Sequence, residues 1–163
     1  LCRDEFVDNR GWPHQLYVRE ARRMVSDFVM TEHHCTGKRV APRSIGMGAY
    51  GIDMHAVRRI AHQGQAINEG TQSPRVPAPY PIDYGAIVPK PAECQNLLVI
   101  FAVSASHVAF GSIRMEPTFM ILSQSAGTAA VTAIEENSSV QNVNYPKLAD
   151  RLRASGQVLS KKP

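Results

Sequence analysis

Gly46, Gly48 and Gly51 in SIGMGAYGID stand at the G-x-G-x-x-G spacing. Between a buried strand and a helix, that spacing cradles a pyrophosphate. The preceding segment, TGKRVAPRSI, carries a proline and three basic residues and makes a poor buried strand. Glu69 follows Gly51 by 18 residues, close to the place of a ribose-binding acid, so the match is not empty. The better reading is a glycine-rich strand that another backbone or a ligand approaches closely. SQSAG at 123–127 falls one residue short of G-x-S-x-G and would put Ser125 inside a helix, which argues against a serine hydrolase. His33, His34 and Cys35 would be one end of a metal site, with His62 or Cys94 as a distant fourth ligand. Structural zinc sites pair their ligands at both ends, so these histidines are better placed at a helix C-terminus, where positive charge is favourable. His55 and His107 are the general acid/base candidates because imidazole titrates near neutral pH, although a lone histidine is more often structural.

These residues need elements to position them. From Pro13, Tyr17, Ala21, Met24, Val25 and Phe28 recur at helical spacing, which predicts a first helix, with Arg19, Arg22, Arg23 and Asp27 on its solvated face. Gly37 and Pro42 close it. Residues 44–91 are rich in Gly, Pro and Tyr and read as short antiparallel strands and loops, with about two to three turns of helix at MHAVRRIAHQ. The apolar run NLLVIFAVS predicts a buried strand at 97–102. A helix of small residues follows from Pro117 to 135, and a last one from Tyr145 to Ala154. No internal repeat is present.

With 163 residues and 44% apolar content the chain can bury one core. Its net charge of +4 is spread along the chain without a long basic run or interleaved aromatics, which points away from nucleic acid. No apolar run approaches the roughly 20 residues that span a bilayer. Three widely separated cysteines argue against a disulfide framework and fit a reducing compartment or incidental thiols. The opening LCRDEFVDNRGWP reads as the interior of a longer protein, so the lack of a targeting segment says nothing about compartment.

The stretch AECQNLLVIFAVSASHVAFGSIRMEPTFMILSQSAGTAAVTA, from Ala92, resembles the C-terminal flavin-binding segment of FAD-dependent oxidoreductases, some of whose bacterial members are labelled xanthan lyase-like. The resemblance extends to YVREARRMVSDFVMTEHHC, to Asp53-x-His55 in GIDMH and to PYPIDYGAIVPK, in the same order. It departs at Phe101, Ala102 and Val103, where many members have Gly-Arg after the strand, and at Ser123, where a glycine is common.

The resemblance implies an α/β chain, the C-terminal part of a Rossmann-like flavoprotein. Residues 1–43 would be a helical part packing on the FAD-binding domain, 44–91 a β-rich substrate-side segment, and 92–163 the C-terminal part of the FAD-binding domain with a terminal helix. The true pyrophosphate fingerprint would then lie upstream, in an N-terminal half that is a partner of this one, and Gly46 to Gly51 would belong to the substrate side. The implied reaction is hydride transfer from a small organic substrate to FAD. Ser112, Ile113, Arg114 and Met115 become flavin contacts, largely through backbone atoms, because a helix N-terminus suits the negative charge of reduced flavin. Gly127 and Thr128 are further cofactor candidates, since a helical glycine suggests a close partner. His107, His55 and Arg114 are the catalytic candidates; Arg114 can also bind a substrate carboxylate. A lyase would need its own base and neutralising groups, and no such constellation is seen. The competing expectation is a remnant or interaction module without FAD, associating with itself or a second chain to cover apolar surface.

Overall fold

In the computed structural model, which describes residues 3–15, 20, 22–56, 58–69 and 73–161, a long helix of small residues lies across a two-stranded sheet. That helix, α3 in chain order, spans Glu116–Glu135, with Pro117 in its first turn, where a missing N–H has no intrahelical partner to lose. Thr118, Leu122, Ser125, Ala126, Ala129, Thr132 and Ala133 recur on one face and are buried. It ends in a Schellman motif: Asn137 takes the left-handed conformation, φ 47°, while the Ser138 amide donates to Ala133 O and that of Asn137 to Ile134 O.

The sheet beneath it pairs β1 (Ser44–Gly48) with β4 (Tyr80–Asp83), antiparallel, with a register shift between Ser44 and Gly46. Small residues let helix and strand approach. A Cβ on Gly46 would overlap Ile121 Cγ2, and one on Gly48 would lie 2.7 Å from the Tyr80 ring. Ser125 Oγ donates to Ile45 O from the helix, and Gln157 Nε2 donates to the same carbonyl at 2.9 Å. Gln157 stands just past α4 (Tyr145–Ala154), whose Asn144 cap accepts from the Lys147 amide and whose Leu148, Ala149 and Leu152 are buried. Gly46 and Gly48 therefore serve packing in an antiparallel strand, whereas Gly51 lies in the loop beyond it with nothing within 4 Å of a Cβ built there.

Three expected elements differ. Among the described residues the predicted first helix is present only as α1, Glu32–Cys35. Tyr17, Arg19 and Ala21 lie outside the described residues. Residues 24–30 run alongside 102–106: the Met24 amide donates to Ala102 O, that of Met30 to Ser104 O, and that of Ser106 to Met30 O. Tertiary backbone bonding thus overrides the helical spacing of Met24, Val25 and Phe28. The run at 97–102 is not a strand. Val99 N donates to Ile87 O, but no neighbouring strand pairs with the segment, and Leu97 and Phe101 are exposed. The short helix expected at MHAVRRIAHQ is instead a hairpin of β2 (Arg58–His62) and β3 (Gln65–Glu69). Its two-residue turn, Gln63–Gly64, has positive φ at both positions, as a turn of type I′ requires.

The result is a mixed α/β architecture with two small antiparallel sheets. Its core runs from Met30 through Ile45, Ile82 and Ile113 to Leu148 and Leu159. Among the described residues no helix is long and apolar enough to cross a membrane.

Candidate functional site

The site is organised by α2, His107–Ile113, which is short and closely bound to the loop that follows β1. Ser106 caps it, its Oγ accepting from the Ala109 amide at 3.2 Å. The loop can reach α2 because Gly111 has no side chain: a Cβ there would lie 2.9 Å from Asp53 O. The Asp53 amide donates to Gly111 O at 3.3 Å. Ser112 completes the junction, its hydroxyl donating to Tyr50 O and lying 2.6 Å from the Tyr80 hydroxyl.

With the loop fixed, Asp53 and His55 face the ends of α2. Arg114, at the helix C-terminus, turns its guanidinium to the loop: Nη2 donates to Asp53 O at 3.1 Å and to Asp53 Oδ2 at 3.0 Å. Its side chain is only 5% exposed. Glu20 lies among the three predicted catalytic residues. Its Oε1 is 2.9 Å from His55 Nδ1 and accepts from the His55 amide at 3.2 Å. Its Oε2 is 3.5 Å from His107 Nε2, and Oε1 is 3.8 Å from Arg114 Nε. His107 Nε2 and Arg114 Nε are both buried and make no hydrogen bond among the described residues. Two donors therefore stand near one carboxylate, just beyond hydrogen-bond length.

This arrangement can hold an imidazole in a fixed orientation. A carboxylate beside Nε2 favours a proton there and leaves Nδ1 of His107 as the basic nitrogen. Arg23 adds a further cation nearby, its Nε donating to Ala105 O at 3.0 Å and its guanidinium lying 5.5 Å from the Phe110 ring centroid.

The sequence-derived candidates divide into two groups. His55, His107 and Arg114 come together, although 59 residues separate the first from the last. The remaining candidates are spread along α2 and α3. Ser112 and Ile113 are fully buried, and the Ser112 hydroxyl is already engaged. The Arg114 amide donates to Phe110 O and the Met115 amide to Ile113 O. Met115 caps α3 without a side-chain hydrogen bond; Pro117 has no N–H and the Phe119 amide donates to Met115 O, which leaves the amides of Glu116 and Thr118 in a first turn that also carries the Glu116 carboxylate. Gly127 is on the exposed face, with no atom within 4 Å of a Cβ built there, and Thr128 Oγ1 donates to Gln124 O. Sequence reasoning missed Glu20 as a site residue. Its signal was a single carboxylate within the basic run YVREARRM. Asp53 was noticed in D-x-H spacing but given no role.

Other reactive side chains have structural work. His34 Nδ1 accepts from the Thr31 amide at 3.0 Å, as the Glu or Gln of a capping box does. Burial lowers its pKa. Cys35 is fully buried, and loss of hydration pushes its thiol up to about 11. Burial likewise raises the Tyr80 hydroxyl far above its ordinary value and Tyr84 to about 12. Ser125 is enclosed within α3 and donates to Ile45 O.

No curated protein and no solved structure matches the chain. A family model does: that of the FAD dependent oxidoreductases, over residues 1–152. With nearly the whole chain matched, this protein belongs to the FAD dependent oxidoreductase family.

Proposed function

We propose that the chain is the substrate-facing, C-terminal part of an FAD-dependent oxidoreductase that takes hydride from a small alcohol or amine. The supporting observation is the convergence of His55, His107 and Arg114 on the Glu20 carboxylate. The open first turn of α3 fits a flavin, because an uncapped helix N-terminus favours negative charge. FAD, when bound, supplies the hydride acceptor. The chain's own residues then handle the proton. His107 takes it from the substrate hydroxyl or ammonium at Nδ1, and Glu20 steadies the resulting imidazolium through Nε2. His55 holds Glu20 from the other side, and Asp53 fixes Arg114 within the same group. Backbone atoms at Ser112–Met115 and the helix beyond, including Gly127 and Thr128, line the cofactor side in this reading. The pyrophosphate contacts belong to an N-terminal half of the same protein.

The test is His107→Ala in the flavin-loaded protein. Flavin reduction by substrate should slow by about 10²- to 10⁴-fold, with a much smaller change in FAD affinity. Unchanged reduction kinetics would remove His107 from the reaction.

A second reading rests on a different observation. α3 presents Met120, Val131 and Ile134 to solvent, 70%, 52% and 79% exposed, and Leu97 and Phe101 are exposed as well. An interaction module without catalysis would use such a face. Sedimentation of the chain separates the two, since a monodisperse monomer that binds no apolar dye would count against the module.

A further inference from the structure

Beside β1 and β4 lies a cleft of about 440 Å³. Its size falls within the range of small-molecule sites, roughly 300–1,000 Å³. The walls are flat and apolar, formed by Pro77, Pro79, Pro81, Tyr80 and Tyr145. Both tyrosine hydroxyls are occupied elsewhere, that of Tyr80 on Ser112 and that of Tyr145 on Ser44 O; Tyr80 is buried behind the wall, and the partly exposed ring of Tyr145 contributes surface.

Charge in the cleft is one-sided. Arg39, Arg153 and Lys161 line it, and no Asp or Glu does. Arg153 pairs with the exposed Asp150 at 2.8 Å. Arg39 and Lys161 make no ion pair among the described residues. Asp83, close enough to act on His34 and Tyr145, is fully buried and holds Arg43 and the Gly85 amide. It cannot turn to neutralise the rim.

His34 supplies a donor in the same cleft. The residue is 6% exposed and lines the cavity. Because Nδ1 accepts from the Thr31 amide, the neutral ring carries its proton on Nε2. That N–H has no acceptor among the described residues. A ring N–H without a protein acceptor is free to donate to an acceptor atom that enters the cleft.

We infer that this cleft is a binding site for a small planar organic anion, its ring against the prolines and Tyr145 and its carboxylate or comparable oxyanion near Arg39, Lys161 and His34. The inference goes beyond the oxidoreductase reading and does not depend on it, since the residues concerned are not those around Glu20.

The experiment titrates the isotope-labelled chain with indole-3-acetate and, separately, with neutral indole-3-acetamide, following backbone amides by NMR. Saturable shifts are expected at Val40, Ala41, Ala78 and Ser160, with a dissociation constant below about 1 mM for a ligand of this size. The amide should bind at least about tenfold more weakly, and raised salt should weaken only the acid. Arg39→Gln with Lys161→Gln, both exposed rim positions, should reduce acid binding by about tenfold and leave amide binding unchanged. Equal affinity for acid and amide, shifts centred elsewhere, or no saturation by the acid at about 10 mM would each overturn the inference. None of these outcomes bears on flavin reduction, so the two readings fail separately.

Discussion

Glu20 Oε1 lies 2.9 Å from His55 Nδ1, and the same oxygen accepts the His55 amide. A side chain and its own backbone therefore share one acceptor. Glu20 fixes both the position of the loop at 55 and the orientation of its imidazole, and its second oxygen remains for His107. Glu20→Ala in the flavin-loaded protein should slow flavin reduction by about 10- to 100-fold, because His55 and His107 lose the carboxylate that stands between them. Glu20→Asp should recover part of that rate. Anaerobic stopped-flow absorbance of the flavin measures both, and equal loss in Ala and Asp variants would point to a merely structural carboxylate.

Two glycines should respond to alanine in opposite ways. At Gly46 the new methyl meets the β-branched Ile121 close to its backbone, so α3 must move off β1. The expected loss is about 1–3 kcal/mol. At Gly127 a methyl meets nothing within 4 Å. There alanine should stabilise the chain by up to about 1 kcal/mol through helix propensity. Urea denaturation of the two variants provides the comparison. If FAD approaches Gly127, the second variant should gain stability and lose cofactor affinity together.

His34 ties stability to pH. Burial depresses its pKa in the folded chain below the ordinary 6.5. On acidification through that value the unfolded chain takes up a proton that the folded chain refuses, so this contribution is present above it and is lost as pH falls. Urea midpoints should decline between pH 7 and pH 5 for this reason. His34→Gln keeps an acceptor for the Thr31 amide and cannot titrate, so it should decline less. An identical decline in the variant would remove His34 as the source.

Thiol reactivity should separate Cys35 from Cys94. The first is fully buried with its thiol held protonated near neutral pH, whereas the second is partly exposed. Iodoacetamide followed by peptide mass spectrometry should label Cys94 in the folded chain and Cys35 only after denaturant is added. Rapid labelling of Cys35 without denaturant would contradict its burial.

Much of the helical half was legible in the sequence, because α3 and α4 bury their own periodic faces. His55, His107 and Arg114 were legible as chemistry but not as neighbours. Their meeting depends on Gly111, whose missing Cβ admits Asp53. Glu20 was hidden by its setting, since an acid among arginines reads as part of a solvated surface. The segment at 24–30 was misread because its hydrogen bonds go to residues 102–106, a partner that local spacing cannot reveal. β2 was hidden because nearly all of it is exposed and MHAVRRIAHQ reads as helix, whereas QAINEG reads as extended and holds β3. At 97–102 the apolar run was real, but a strand also needs a neighbour to bond it.

The Ile45 carbonyl sets an order on how the chain is made. It receives Ser125 from 80 residues downstream and Gln157 from 112 residues downstream. During synthesis β1 leaves the ribosome long before either donor exists, and β4 alone cannot satisfy this inner edge. That carbonyl therefore gains its full set of partners only after α4 and Gln157 have emerged.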